Sequence, residues 1–383
     1  MTPNVRMIRS QESFVLENSD VSVAVTRRGG MMAPVTFDRA SKAPIDPYYI
    51  SPWQDEALRI DEPVLVPLRG DFFCMPFGKG GTVRGETYAV HGEPAGREWD
   101  GVDITREGGI SRLTMKIANR ARPGTVTKTL EIVEGENVVY SRHEISGMGG
   151  QMTLGHHATL RAGEKPGALA VSTGPIMFGL TDPGVGSPYE SGEYHALPAG
   201  VKFSSLKKVP TNWKSEPSTD CTVFPNRRGF VDIIAVAAKV RKNQPSWSAA
   251  VFLDEGFLWF GLRNPALLPL TVLWMENHGR YQTPWNARTC CIGIEDVCAF
   301  FTEGLGPSSK KNALNENGVP TTVSLNKKKS TVVPYVQGVV RTPAGFDRVA
   351  SATFTNGVAR FVSESGKTAE APVRSDFVFT GVL

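Results

Sequence analysis

The feature that most constrains this chain is its succession of short alternating runs with almost no helical periodicity between them. In "LTMKIANR" (113–120), Leu113, Met115 and Ile117 alternate with Thr114, Lys116 and Ala118. A strand points successive side chains to opposite faces, so such a run makes one apolar face and one polar face. "SVAVTRRG", "TVTKTLEIV", "NVVYSRHEIS", "FVDIIAVAAKV", "SAAVFLDEGFLWFGL", "LTVLWMEN", "RTCCIGIEDV", "TVVPYVQGVV" and "ASATFTNGVARFV" also read as strands, rich in β-branched and aromatic residues. With 39 glycines and 27 prolines among 383 residues, turns are frequent. Helix is expected only near Trp53–Ile60 and, more weakly, near Val297–Thr302. No repeat of fixed period is present. The expectation is a large antiparallel all-β protein, a sandwich or a barrel.

The segment "GPSSKKNALNENGVP" (306–320) has the composition of a linker. Strand patterns resume after it, so it reads as a surface loop within one domain spanning 1–383. Net charge is only +4, with 42 Lys and Arg against 38 Asp and Glu. That excess is too small for the dense basic stripe of a nucleic-acid binder, so no nucleic-acid partner is expected. The run Lys327-Lys328-Lys329 reads as a solvated turn between strands. Five cysteines, none in a C-x-x-C spacing and two of them adjacent (Cys290 and Cys291), point to a reducing compartment, or at least to a fold that needs no disulfides. No apolar run approaches the roughly 18 residues of a membrane span, and the N-terminus lacks an apolar leader core. A cytoplasmic protein without a membrane partner is expected, or a periplasmic one if a leader has been removed.

Four stretches carry candidate chemistry. In "MTLGHHATLRAG", parity sets Met152, Leu154, His156, Ala158 and Leu160 on an apolar face. Thr153, Gly155, His157 and Thr159 share the other, where the glycine leaves room for a ligand. His157 therefore faces a cleft and His156 the packed side, and a bulge would reverse the two. In "RTCCIGIEDVCAFF", Glu295 shares its face with Cys291 and Gly293, which suits a partly buried carboxylate tuned for base chemistry and equally suits an edge-strand charge in water. In "YAVHGEPAGREWDGV", His91-Gly92 sits at a turn ahead of Trp99. In "LRGDFFCMPFGKGG", Arg69, Asp71, Phe73 and Phe77 combine charge with aromatic surface, which suits a polyol and equally suits a structural aromatic cluster.

Taken in order, "DFFCMPFG", "VHGEPAGREW", "LGHHATL" and "CCIGIEDV" resemble the aldose 1-epimerase (galactose mutarotase-like) superfamily. That resemblance spans residues 69–300. It implies a β-supersandwich of large antiparallel sheets and a small-molecule carbohydrate substrate. The implied chemistry interconverts sugar anomers, with Glu295 as base and His157 as acid. The family's Asn-His pair is His-His here, and its alignment puts the asparagine at 156. The resemblance makes His91 a substrate contact. Arg69, Asp71, His156, Phe77 and Arg280 join it as candidate contacts. The family's hydroxyl-holding aspartate has no clear counterpart, although Asp220 and Asp232 lie in the right part of the chain.

The implied reaction needs only proton transfers, so neither a cofactor nor a metal is expected. A further mixed cluster, "WMENHGRYQTPWNAR", carries Glu276, Asn277, His278, Arg280, Trp285 and Arg288. It suits the rim of a pocket, where Arg280 or Arg288 would select an acidic or phosphorylated sugar. Three rivals stand beside this reading. A carbohydrate-binding protein on the same fold would lack turnover. A cupin-type metal site from His91, His156, His157 and Glu295 lacks the compact H-x-H spacing. A polysaccharide lyase would need a helical domain for which the chain has no room.

Overall fold

A computed structural model describes residues 5–184 and 192–383. Two large antiparallel sheets dominate it. The first has eleven strands, and at its centre Asp71–Cys74, Leu154–Arg161, Cys290–Cys298, Leu270–Asn277 and Phe230–Ala238 lie side by side. The second has nine strands, with Ser246–Phe252, Phe257–Arg263, Thr331–Arg341 and Val138–Ser146 at its centre. Strand Thr331–Arg341 follows the linker-like segment in sequence, yet it pairs with Val138–Ser146 on one side and Phe257–Arg263 on the other. The lysine run 327–329 forms the turn that leads into it.

The inner faces of the two sheets pack together. Leu113, Met115, Ile117, Leu154, Ala158, Leu160, Ile292, Ile294 and Trp259 belong to this core. Alternation is legible in Ile110–Asn119, where Leu113, Met115 and Ile117 are buried and Arg112, Lys116 and Ala118 exposed. Each fully buried apolar side chain of this size contributes roughly 1.5–3 kcal/mol, so the inward parity fixes the register of every strand. A polar clamp crosses the same interface. Asp296 lies 2.5 Å from Arg263 Nη1 and accepts hydrogen bonds from Thr271 Oγ1 and Tyr335 Oη, both at 2.8 Å. A buried ion pair is tolerated when its remaining lone pairs are filled in this way.

The central strands of the eleven-stranded sheet are buried on their outer face as well, and Cys290–Cys298 and Leu270–Asn277 show no exposed position. Loops cover that face and bring in a second apolar cluster that includes Trp53, Phe72, Phe77, Trp274, Trp285 and Phe301. The outer face of the nine-stranded sheet is covered by the three-stranded sheet Val349–Thr355, Val358–Ser363 and Thr368–Pro372 through Phe361, with Phe346 ahead of it and Phe377 of the last helical turn beside it.

Neither expected helix forms. Near Trp53 there is one 3₁₀ turn, Pro52–Asp55. Val297 and Cys298 end a strand, because Val297 is held in the ladder by Gly155 on one side and Leu270 on the other. The α-helices among the described residues are single turns, such as Glu93–Gly96 and Phe377–Thr380.

Candidate active site

The site is built on the ladder between Leu154–Arg161 and Cys290–Cys298. His157 pairs with Glu295 across that ladder and His156 with Asp296, with no bulge. Parity therefore holds: His157 and Glu295 share the outer face while His156 and Asp296 point into the sandwich. His157 Nε2 lies 3.1 Å from Glu295 Oε1, and both side chains are buried. Thr159 Oγ1 holds the other ring nitrogen, Nδ1, at 3.1 Å. Phe72, on the neighbouring strand, stacks on the imidazole at 4.5 Å, and Trp274 and His91 meet it edge-on at 5.8 and 5.2 Å.

Gly293 makes the geometry possible. A Cβ there would stand 2.6 Å from Glu295 Oε1 and 3.2 Å from the Trp274 ring. The glycine beside the histidine has a different role from the one expected. A Cβ on Gly155 would meet the Asp296 carbonyl oxygen at 2.4 Å, so that position serves close backbone approach and not ligand space.

His157, Glu295, His91 and Arg280 line one cavity of about 270 Å³. This is near the lower end of small-molecule pockets, roughly 300–1,000 Å³. His91 occupies a left-handed turn (φ 57°), and its Nδ1 accepts a hydrogen bond from the Gly78 N–H at 3.4 Å. Its Nε2 therefore carries the proton and is a donor. Arg280 rides on Trp274 and Trp285, with its Cζ 5.1 and 4.8 Å from the two rings. Its loop is fastened by Glu276, whose Oε1 accepts from Gly279 N at 2.9 Å, Arg280 N at 3.2 Å and Thr289 Oγ1 at 3.2 Å.

The electrostatics follow from burial. Desolvation pushes Glu295 up to about 8, with the Arg280 cation opposing it. Desolvation also drives His157 well below its usual value, reinforced by the neighbouring His91. His91 falls to about 4 for the same first reason, with Arg280 adding to the shift. At neutral pH the pair thus holds a single proton between a carboxyl and an imidazole in contact.

Four expected contacts lie elsewhere. Arg69 is buried and gives its donors to Pro67 O, Ile8 O, Arg9 O and Gln54 Oε1, which fastens the turn of the N-terminal hairpin, Val5–Ile8 and Gln11–Glu17, to the loops at 54 and 67. Asp71 faces the interior, where its carboxylate meets His156 Nδ1 at 3.0 Å. His156 stacks on Tyr335 at 4.2 Å. Phe77 packs edge-on against His91 at 5.1 Å without lining the cavity. The inward place of Asp71 follows from the parity of its strand, which turns 71 and 73 inward and 72 outward. Arg288 is engaged by Glu56 at 2.7 Å. Asp232 accepts from Ala196 N and Leu197 N, and Asp220 from Thr222 N, so neither reaches the cavity. With His156 turned inward, the four residues of the cupin-type alternative do not converge. Among the described residues no cluster of three His, Cys, Asp or Glu is placed to hold a metal ion. All five cysteines are buried and free, and no described helix is long and apolar enough to cross a membrane.

The sequence reading missed Glu62, Leu68 and Trp274, which also line the cavity. Trp274 was within reach, since its strand partner is Gly293 and the two share a face. Glu62 comes from an irregular segment with no periodic signal.

Large antiparallel sheets stacked face to face give this chain a fold like that of galactose mutarotase-related proteins. Solved structures share this fold. A galactose mutarotase related enzyme from Lactobacillus acidophilus superposes with a TM-score of 0.52 at 12% identity, covering 85% of this chain and 97% of its own. A protein from Escherichia coli K12 provisionally described as an aldose 1-epimerase gives 0.54 at 11%, covering 85% and 98%. A provisionally assigned mutarotase from Salmonella typhimurium gives 0.55 at 10%, covering 89% and 97%. At these identities the likeness is one of fold. No protein-family profile matches the chain, and no curated protein matches it.

Proposed function

We propose that the chain is an aldose 1-epimerase-like enzyme that interconverts the anomers of a free sugar by ring opening between Glu295 and His157. The observation that carries this reading is their 3.1 Å contact at the wall of a cavity of about 270 Å³ that His91 and Arg280 also line. The reaction removes the proton of the anomeric hydroxyl and delivers one to the ring oxygen. The C1–O5 bond breaks, the C1–C2 bond turns, and the ring closes on the other face. The pair reacts in the form that carries its shared proton on the imidazole, with Glu295 as the base and His157 as the acid, each contributing roughly 10²–10⁴-fold.

Two groups in contact that share one proton suit this task, because every turn of the reaction takes one proton from the sugar and returns one. His91 directs its Nε2–H at a sugar oxygen. The Arg280 cation favours the negative charge that develops on the anomeric oxygen. Both proton transfers are made by side chains, so the scheme calls for no cofactor. The same fold without turnover is the second reading, favoured by the absence of Arg69 and of the family's aspartate from the cavity. NMR saturation transfer between the α and β anomeric protons, run over a panel of free and phosphorylated monosaccharides, separates the two. Faster exchange with catalytic amounts of protein is expected for at least one sugar. Binding across the panel with no gain in exchange would leave only the binding protein.

A further inference from the structure

We propose that the cavity is shaped for a deoxyhexose, held at its hydroxyl-bearing edge by Glu62 and the Trp274 indole N–H and packed at its deoxygenated edge against an apolar wall. This names the substrate class of the site above and rests on the ring-opening reading.

Two observations carry it. The first is a set of polar atoms without partners. Trp274 Nε1, Glu62 Oε1 and Glu295 Oε2 are shut from solvent and make no hydrogen bond, and all three residues line the cavity. Buried donors and acceptors are nearly always paired in folded proteins. Three unpaired ones around a single cavity mark where a ligand supplies the partners: an acceptor for the indole and donors for the carboxyls.

The second observation is what the remaining wall lacks. Val64, Leu65, Leu68, Val90 and Ile233 line the same cavity and offer no side-chain hydrogen bond. Ile233 takes the cavity face beside Asp232, whose carboxylate is spent on Ala196 N and Leu197 N. At the rim, Gln282 Nε2 donates to Glu193 and the Thr283 hydroxyl to Asn286, and Thr302 is the one further hydroxyl-bearing residue among the described residues of the lining. A hydroxyl buried against this wall gives up water and gains no partner. A methyl or methylene at the same place gains contact instead. The volume, about 270 Å³, is enough for one sugar ring.

The test compares 6-deoxyhexoses with their parents: L-fucose with L-galactose, L-rhamnose with L-mannose, D-quinovose with D-glucose. Binding is read by calorimetry and anomer exchange by NMR on the same samples. The deoxy member of at least one pair should bind about tenfold to a hundredfold more tightly, the range over which an apolar pocket tells such pairs apart. Trp274→Phe and Glu62→Gln should each weaken that sugar about tenfold while circular dichroism shows the same sheet content. Ile233→Asn should shrink the preference or invert it. Parents bound as well as or better than their deoxy partners, or no sugar bound at all, would overturn the proposal. Tight deoxyhexose binding without exchange would keep this inference and end the ring-opening reading. Efficient exchange of parent and deoxy sugars alike would do the opposite.

Discussion

His157 and Glu295 are direct cross-strand partners, with Nε2 and Oε1 3.1 Å apart on the loop-covered face of a continuous sheet. A strand-on-strand pair is held by ladder hydrogen bonds on both sides, and this fixes the two groups more tightly than loops would. Their distance, their dry surroundings and their shared proton are therefore properties of the sheet.

Titration of this pair sets the pH dependence of the proposed reaction. Glu295 loses its proton at about pH 8, and a second proton reaches His157 only well below the usual histidine value. Between those limits the pair carries one proton and is competent. The profile of kcat/KM should be flat through neutrality and fall on the alkaline side near pH 8. In Glu295→Gln the residual activity should lose that alkaline limb. A limb that persists unchanged would assign it to another group.

Keeping Glu295 dry costs stability, and the sign can be worked out. Its folded value, about 8, stands above its ordinary 4.5. The folded state therefore holds a proton that the unfolded chain releases between those values. The contribution to stability is fully present below about pH 4.5 and is lost as pH rises through 8. Glu295→Gln should melt higher than the parent protein at pH 8, by about 2 °C or more, and the gain should vanish near pH 4. Scanning calorimetry at the two values decides. A lower melting temperature at pH 8 would mean that the carboxylate stabilises the fold.

Gly293→Ala tests the room made for the carboxylate. The new Cβ would fall 2.6 Å from Glu295 Oε1, and the Trp274 ring closes the other side. Glu295 must move, and a displacement near 1 Å costs a reaction of this kind on the order of 10²-fold. Activity should drop by about that factor, while circular dichroism shows the same sheet content. Full activity would show that the carboxylate does not need its present position.

The adjacent histidines should divide their roles. His156 sits in the sandwich on Tyr335 with Asp71 at its Nδ1. His156→Ala leaves a cavity and a carboxylate without its donor, a loss of roughly 2–5 kcal/mol, with a smaller effect on turnover. His157→Ala should remove most of the activity and cost less stability than His156→Ala, because it borders the cavity. Urea denaturation together with a rate assay for both variants checks the division. A reversed pattern would contradict the register between strands.

Much of this was legible in the sequence because parity depends only on local alternation. "LGHHATL" and "CCIGIEDV" each separate a polar and an apolar face, and so His157 and Glu295 could be set on the same side before any pairing was known. Arg69 and Asp71 were harder to read. Charge beside aromatic residues looks the same whether it meets a ligand, the N-terminal hairpin or a buried histidine. Glu62 and the apolar wall at 64–68 carried no signal, since an irregular segment has no period and its place on the sheet is set by tertiary packing. Val297–Thr302 misled for a related reason: a short apolar run buried on both faces of a central strand has the same composition as a buried helix.

The most direct test of the account is polarimetry on a freshly dissolved sugar that the protein binds, with the parent protein, His157→Ala, Glu295→Gln and the double variant at equal concentration. Acid and base acting on one ring opening should be strongly non-additive. Each single variant should lose at least about a hundredfold of the catalysed mutarotation rate, and the double variant should be little slower than either. Full catalysis retained in either single variant, with sugar still bound, would contradict the account.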